Sequence, residues 1–351
     1  MESREKQDSL YSPLSTLYSL RMLSQVVELI ENKHNFAITT HVRPDGDGIG
    51  SSLGLCWLLR SLGKTAEVIV SDGIPVSYQS LPGASEIREV SEVDKQYDAI
   101  FVIECSDIDR PGIKGLREQF TVNIDHHATS EHFGTLNWID ATASAVGEMI
   151  YNLCKAIGGR VTKEIAECVY MALVTDTGSF HFPNTTDRTL KVASELIKVG
   201  VKPAQISEAV YNSYPWSRIE LMRQVLNTVK RDASGRVAWM RQTLEMRKNA
   251  GMVDGDNNGF VNIPLAAKEV VASVYMREVE PNFYRVSIRS KGDINIAKIA
   301  EKFGGGGHKN AAGCRAEGDW DEMEREIVAA VIKAVSQEDL IDVEELELSL
   351  A

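Results

Sequence analysis

Residues 36–59 read FAITTHVRPDGDGIGSSLGLCWLL, and this stretch predicts both the fold and the place of a functional site. The apolar run at 36–40 and the longer one at 53–59 are typical of a buried strand followed by a buried helix. The turn between them holds His41, Asp45 and Asp47, three side chains that can ligate metals. A surface turn could use Asp, Pro and Gly for backbone reasons alone. The interpretation therefore depends on whether other acids and histidines converge on this turn.

The length allows two domains, and the composition is that of a soluble globular protein. The chain has 351 residues, of which 43% are hydrophobic and 25% charged. No apolar run is long enough for a membrane span, and the polar N-terminus does not resemble a signal peptide. The five cysteines are scattered and form no CxxC pair, which indicates buried thiols in a reducing compartment. We therefore expect a cytoplasmic protein with no membrane partner.

The net charge of −12 limits the partners of the protein. A chain with this charge is not expected to bind extended duplex nucleic acid, because such binding relies on many cations that release counterions. A small anionic substrate held by a few local cations or metals remains compatible with the charge. The sequence is also compatible with a homodimer, although no residue pattern specifies one.

Apolar runs and helical periodicities alternate through the first half of the chain. This alternation predicts a largely parallel sheet with helices on both faces, in which ligands bind at the carboxyl ends of the strands. The predicted helices cover residues 16–32 and 49–61, and the predicted strands cover 36–40, 67–70, 98–104 and 120–125.

Acids and histidines follow three of these predicted strands. They are the cluster at His41, Glu104 at the end of a strand, and the tripeptide at 125–127, and Asp176 lies in a fourth cluster after a helix-like stretch at 163–171. Imidazoles and carboxylates without thiolates suit Mn²⁺ or Mg²⁺ better than a structural zinc site. Two such ions held close together are common in phosphatases and nucleases. The clusters therefore predict a metal centre at one edge of the sheet.

The second half of the chain predicts a smaller α/β domain. A helical segment at 187–230 leads to strands at 236–240 and on either side of a turn at 280–282, then to helices at 294–303 and 321–335. The run GGGGH lies between these helices, and glycines let backbone N–H groups approach an anion closely. A flexible linker is the alternative for this run. The predicted boundaries are a first domain at 1–190, a helical linker at 191–229, a second domain at 230–340 and an acidic tail at 341–351.

Four motifs together resemble the DHH/DHHA1 phosphoesterase family. HVRPDGDGIGS, the tripeptide DHH, VTDTGSF and GGGGHKNAAG occur in the order of that family, across residues 36–335. The length and the lack of extra domains are similar to its cytoplasmic oligoribonucleases. That resemblance implies an N-terminal DHH domain with a two-metal site and a C-terminal DHHA1 domain that binds substrate.

The resemblance also implies the metal ligands. The expected cofactors are two divalent cations, with Mn²⁺ as the first candidate and Mg²⁺ or Co²⁺ as alternatives. Glu104 stands where the family places a bridging aspartate, and Asp107 is the alternative bridge. The remaining implied ligands are His41 and Asp45 for one ion, and Asp47, His126 and Asp176 for the other.

Catalytic and substrate-binding roles follow from the same resemblance. Asp125 is expected to orient a histidine, or alternatively to cap a turn. His127 is expected to face the scissile phosphate, since consecutive side chains diverge and His126 serves a metal. A buried structural histidine is the alternative. Arg289 is expected to bind the substrate phosphate, with a solvent-facing arginine as the alternative. The other implied substrate contacts are Gly305, Gly306, Gly307 and His308.

The implied activity is metal-assisted hydrolysis of a phosphoester. The oligoribonucleases of this family convert very short RNAs to mononucleotides and also dephosphorylate 3′-phosphoadenosine 5′-phosphate to AMP. A cyclic dinucleotide phosphodiesterase of the same superfamily is the closest alternative. A catalytically silent nucleotide-binding protein is an alternative of a different class. The feature that supports it is Glu104, which stands in place of the family's aspartate.

Overall fold

Two units, each built around its own six-stranded sheet, make up the chain, which divides between Ser213 and Tyr214. The structure is a computed structural model that describes the backbone of residues 13–252 and 259–350, and side chains within 17–252, 259–307 and 309–336. The α/β fold class predicted from the sequence is confirmed. Within the described residues, no helix has the length and hydropathy needed to cross a membrane.

The sheet of the first unit is parallel throughout, as predicted. Its order is β3-β2-β1-β4-β5-β6. Strands β3 and β6 were not predicted, because β3 has two residues and β6 lacks a continuous apolar run. The strands are β1 (Asn35–Thr40), β2 (Thr65–Val70), β3 (Arg88–Glu89), β4 (Ala99–Ile103), β5 (Thr121–Asp125) and β6 (Leu136–Ile139).

The strand order creates a switch point between β1 and β4. From β1 the chain winds to β2 on one side, and β4 pairs with β1 on the other side. Thr40 lies opposite Ile103 in the register, so the residues that follow these two strands emerge side by side. Sheets of this kind bind ligands at such a point. His41 and Glu104 are the two residues that emerge there.

The described part of the first unit has six α-helices: α1 (Pro13–Asn32), α2 (Gly46–Ser61), α3 (Val146–Ala156), α4 (Lys163–Asp176), α5 (Asp187–Val199) and α6 (Pro203–Tyr211). Helix α2 packs closely on α4 because Gly50 has no side chain: a Cβ there would lie 2.5 Å from the carbonyl oxygen of Cys168. Several helix boundaries differ from the prediction, and α1 begins at Pro13 instead of residue 16. Helix α2 begins three residues earlier, inside the opening motif, and α4 extends to Asp176.

The second unit has a mixed sheet in the order β11-β12-β10-β9-β8-β7. Strands β8 and β9 are parallel and the other neighbours are antiparallel. Its elements are α7 (Trp216–Leu226), β7 (Lys230–Arg231), β8 (Val237–Gln242), α8 (Leu244–Asn249), β9 (Ala272–Glu280), β10 (Phe283–Ser290), α9 (Ala297–Lys302), β11 (Gly306–His308), β12 (Ala311–Glu317) and α10 (Trp320–Leu350). Strands β11 and β12 were not predicted, since their small residues leave no apolar pattern.

Candidate metal centre

The start of helix α2 sends Asp45 and Asp47 in different directions. Asp45 is the N-cap, and its carboxylate accepts a hydrogen bond of 3.0 Å from the N–H of Gly48. Asp47 lies in the first turn and is buried, where it accepts 2.7 Å bonds from the Ser51 hydroxyl and from the N–H of Val146. The capping of α2 and the N-terminus of α3 thus hold the two carboxylates apart.

His41 and Glu104 meet at the switch point. His41 Nε2 lies 3.5 Å from Glu104 Oε2 and 3.8 Å from Asp45 Oδ1. The other ring nitrogen, Nδ1, is 3.0 Å from the carbonyl oxygen of Val42. A carbonyl only accepts, so Nδ1 carries a proton, and in the neutral imidazole Nε2 is the lone-pair nitrogen that can ligate a metal.

The backbone of Glu104 is strained. Its φ is +57°, in the left-handed region that costs a non-glycine residue roughly 1–2 kcal/mol. The side chain is buried, and Oε2 accepts no hydrogen bond from any described residue. Buried carboxylate oxygens without partners are costly. A cation at this point would remove that cost.

A second set of donors lies around His126. Its Nε2 is 3.8 Å from Asp47 Oδ2 and 3.7 Å from Asp176 Oδ2, and it has no hydrogen-bond partner among the described residues. Its Nδ1 lies 3.1 Å from the carbonyl oxygen of Ala143, which leaves Nε2 as the lone-pair nitrogen. Asn184 donates to Asp176 Oδ2 at 3.1 Å and so holds that carboxylate in place.

Glu104 belongs to both sets of donors. Each set offers ligand atoms that lie within 4.8 Å of one another. A carboxylate shared by two sets is the arrangement that a pair of divalent ions requires. Both sets lack thiolates and fit an oxygen-preferring or imidazole-binding divalent ion. The first set is His41, Asp45 and Glu104, and the second is Asp47, Glu104, His126 and Asp176.

The charges of this cluster are unfavourable without a cation. Burial, followed by repulsion from Asp45 and Asp47, raises the pKa of Glu104 well above its usual range. Burial and the neighbouring Asp47 raise the pKa of Asp176 to about 7. Desolvation by its neighbours opposes ionisation of Asp45, whose side chain is 52% exposed, but the hydrogen bond with His41 outweighs it and lowers the pKa of Asp45. The protein therefore concentrates carboxylates that become fully ionised only when positive charge is supplied.

The raised pKa of Asp176 predicts a pH dependence of stability. The pKa of Asp176 is about 7 in the folded protein and 3.8 in a model peptide, so the folded state binds this proton more tightly. Without metal, the contribution of Asp176 to the free energy of unfolding must fall as pH rises from about 4 to about 7. Urea unfolding in a chelator, compared between wild type and Asp176→Asn, isolates this contribution.

Divalent ions should reverse the trend, since metal binding displaces the proton. The apparent metal affinity of the wild type is expected to rise across the same pH range. In chelator, a difference in the free energy of unfolding between wild type and Asp176→Asn that stays constant or grows with pH would contradict the prediction.

Asp125 and His127 form a pair beside the metal ligands. Asp125 Oδ1 lies 2.8 Å from His127 Nδ1 and accepts from the N–H groups of His126 and His127. Burial opposes ionisation of Asp125, but its hydrogen bond with His127 lowers its pKa. A ring nitrogen of His127 also lies within 4.8 Å of ligand atoms of Glu104 and His126. Asp125 thus orients His127 at the edge of the cluster.

Some positioning groups were missed in the sequence. Asn184 and Ser51 hold two of the ligands. Ser51 closes the opening motif but was given no role there, and Asn184 stands in no pattern that distinguishes it from a turn residue. Asp107, the alternative bridge, belongs to neither donor set. Its Oδ1 accepts from the N–H groups of Asp109 and Arg110, so it caps a turn.

The predicted phosphate-binding residues lie in the second unit. Arg289 is half-buried on β10, and burial lowers its pKa. The register aligns Arg289 with Ala311 on β12, and Ala311 with His308 on β11. The two predicted substrate contacts therefore occupy one row of the sheet. The side chain of His308 lies outside the described part of the structure.

The glycine run has a packing reason as well. A Cβ on Gly305 would lie 2.1 Å from the carbonyl oxygen of Gly313, and Gly307 has a φ of +144°. These two glycines allow β11 to approach β12. A Cβ on Gly306 would meet nothing within 4 Å, so the chain is open on that side.

Comparison with known proteins assigns both halves of the chain. Residues 35–173 match the DHH family, N-terminal domain, and residues 243–337 match the DHHA1 domain. The chain is 36% identical over 314 residues to the bifunctional oligoribonuclease and PAP phosphatase NrnA of Thermus thermophilus, covering 89% of this chain and 93% of the relative. The protein of the same name from Bacillus subtilis is 31% identical over 313 residues, with coverage of 87% and 96%.

A solved structure supports the same assignment. An exopolyphosphatase-related protein from Bacteroides fragilis superimposes with a TM-score of 0.82 at 29% identity, covering 92% of this chain and 97% of that one. The similarity thus extends over both units. Three of the four motifs lie inside the ranges that match the family models, and VTDTGSF at 174–180 directly follows the first range. This chain belongs to the DHH/DHHA1 phosphoesterase family and is similar over most of its length to the NrnA proteins within it.

Proposed function

We propose that this protein is a metal-dependent phosphoric ester hydrolase that degrades short oligoribonucleotides to mononucleotides and converts 3′-phosphoadenosine 5′-phosphate to AMP. The observation that carries the proposal is Glu104, whose buried carboxylate joins two donor sets. The names of the Thermus and Bacillus relatives support both substrates. Divalent metal and phosphoester chemistry fit this cluster because phosphoryl transfer depends on neutralising charge.

The two donor sets would hold two divalent cations, with Mn²⁺ as the first candidate and Mg²⁺ or Co²⁺ as alternatives. When bound, such ions neutralise phosphoryl oxygens and lower the pKa of water. The protein supplies the rest of the site. Val42 and Ala143 accept the Nδ1 protons of His41 and His126, and so both imidazoles keep the tautomer that ligates through Nε2.

His127 is proposed to act on the substrate itself. Its Nδ1 is held by Asp125, and we assign to the other ring nitrogen, Nε2, donation to a phosphoryl oxygen or to the leaving oxygen. We therefore assign proton donation to His127 and its orientation to Asp125.

Replacing Asp125 by asparagine should lower kcat by roughly 10- to 100-fold, the usual cost of losing an orienting carboxylate. The amide would also replace the charge-assisted hydrogen bond that fixes the ring of His127 with a weaker one, so the ring would be held less firmly. Steady-state kinetics over pH, with metal stoichiometry measured in parallel, tests this. Asp107→Asn is the matched control, because Asp107 also accepts backbone N–H groups but touches no ligand. Unchanged kcat for Asp125→Asn would refute the assignment.

We propose that the second unit binds the substrate phosphate through Arg289, the backbone of Gly305, Gly306 and Gly307, and His308. A half-buried guanidinium has many donors, and within the described side chains Arg289 donates one hydrogen bond, from Nη1 to the carbonyl oxygen of Ile288. Anions are the natural partners of such a group. The alignment of Arg289 with His308 in the sheet supports one shared phosphate site.

We also place the activity in the cytoplasm. All five cysteines are buried free thiols, as expected in a reducing compartment.

Light scattering of the purified protein would distinguish a monomer from the homodimer that the sequence allows.

The proposed function is tested with purified protein, Mn²⁺ and three substrates. A diribonucleotide and 3′-phosphoadenosine 5′-phosphate should both be hydrolysed, and chelation should abolish both activities. Hydrolysis of a cyclic dinucleotide alone would instead favour the cyclic dinucleotide phosphodiesterase. Absence of any turnover despite bound metal would indicate a nucleotide-binding protein without activity.

A further inference from the structure

The segment that follows Asp176 has an unusual backbone. Gly178, Ser179 and Phe180 have φ values of +55°, +60° and +64°, so three successive residues are left-handed and two of them carry side chains. The hydroxyl of Thr177 accepts the N–H of Phe180 at 3.0 Å, and the carbonyl of Thr177 accepts the N–H of His181 at 2.9 Å. Strain of this kind persists where surrounding contacts enforce it, and it concentrates at ligand sites.

Both ends of this loop are anchored at Asp176. The loop leaves the last residue of α4, and the side chain of Asn184 returns to it. The Asn184 amide donates to Asp176 Oδ2 at 3.1 Å, to the Asp176 carbonyl at 3.2 Å and to the Ser144 carbonyl at 2.9 Å. Any side chain at the tip of residues 177–184 is therefore held near a residue of the donor cluster.

Two phenylalanines of the loop have different environments. Phe180 packs on the core, with its ring centroid 6.1 Å from that of Tyr170 in an edge-to-face arrangement. Phe182 is 49% exposed. Its ring lies against Gly178, where a Cβ would be 2.6–2.7 Å from three ring atoms. Gly178 thus supports the Phe182 ring from one side, while much of the ring remains open to solvent.

We propose that Phe182 is a stacking platform for a nucleobase next to the scissile phosphate. Exposed aromatic rings bind bases of single-stranded nucleic acid by stacking, with little sequence preference. Stacking on an aromatic ring needs no cationic side chain, so it is compatible with a position beside a cluster of carboxylates. The inference rests on the proposed function and deepens it, because it names the part of the substrate that the first unit recognises.

The test compares substrates with and without the base. Hydrolysis of a diribonucleotide is measured beside two analogues, each of which lacks one of the two bases. Phe182→Ala should lower kcat/KM for the complete dinucleotide by roughly 5- to 100-fold. The same substitution should have little effect on one of the two abasic analogues. Phe182→Trp should retain activity, and Phe182→Leu should fall between, since it covers Gly178 without an aromatic face.

Phe120 provides the matched control. It is 41% exposed and precedes β5, at the amino end of the sheet. Phe120→Ala should leave all three substrates unaffected. Metal stoichiometry and melting temperature of each variant show whether the donor cluster and the fold are intact.

Three results would overturn the inference. They are full activity of Phe182→Ala on the complete dinucleotide, an equal loss on both abasic analogues, and a Phe182→Leu variant that matches the wild type. An absence of turnover by the wild type itself is a different outcome. It would overturn the proposed function, and with it the inference that rests on it.

Discussion

Replacing Asp47 by asparagine is expected to lower kcat/KM by more than about 100-fold, since loss of a group that merely orients a metal ligand already costs roughly 10- to 100-fold. Asp47 is 1% exposed, and both of its oxygens accept hydrogen bonds: Oδ2 from the N–H of Val146, and Oδ1 from Ser51 and the N–H of Gly147. An amide would set an N–H group against one of these donors. The variant should thus lose both the negative charge of this side chain and its hydrogen-bonded position.

Metal titration by calorimetry measures the binding directly. We expect Asp47→Asn to lose the ion held by His126 and Asp176. Ser51→Ala is the control, because it removes one hydrogen bond to Asp47 and keeps the carboxylate. Its loss of activity should be much smaller. Full activity of Asp47→Asn, with unchanged stoichiometry, would rule out the proposed metal site.

Replacing Glu104 by glutamine should reduce activity by a similar factor and at the same time stabilise the metal-free protein. Glu104 is the one residue shared by the two main donor sets, so both ions lose a ligand. In the absence of metal, however, its buried carboxylate destabilises the folded protein, as its raised pKa indicates. A neutral amide removes the repulsion from Asp45 and Asp47. At pH 8 in chelator the melting temperature should rise by a few degrees, about the shift that 1 kcal/mol gives in a domain of this size.

Glu148→Gln is the matched control for this experiment. Glu148 is also a buried carboxylate, 2% exposed, but it accepts hydrogen bonds from Ser144 and lies 3.4 Å from the guanidinium of Arg188. Its replacement should destabilise the protein with or without metal. A metal-free Glu104→Gln variant that melts below the wild type would show that Glu104 is a satisfied structural residue and not a bridging ligand.

The first sheet could be predicted from the sequence because its central strands are buried on both faces. Such strands are continuous apolar runs, and β1, β4 and β5 were each placed to within one residue at either end. Short or half-exposed strands such as β3, β6 and β11 lack that signal. Ligands bind at the carboxyl ends of the strands in such sheets, so the polar clusters after β1, β4 and β5 could be predicted to lie together.

The sequence by itself determined the family, the fold class and the residue types of a metal centre, because motifs and apolar runs are properties of neighbouring residues. Only the tertiary structure decided how these residues are held. Asp47 is positioned by the N–H of Val146, 99 residues away, and Gly50 faces the carbonyl of Cys168 on another helix. The left-handed backbone at Glu104 and the exposure of Phe182 likewise depend on segments that meet only after folding. Contacts between distant segments leave no local pattern, so no reading of adjacent residues could have supplied them.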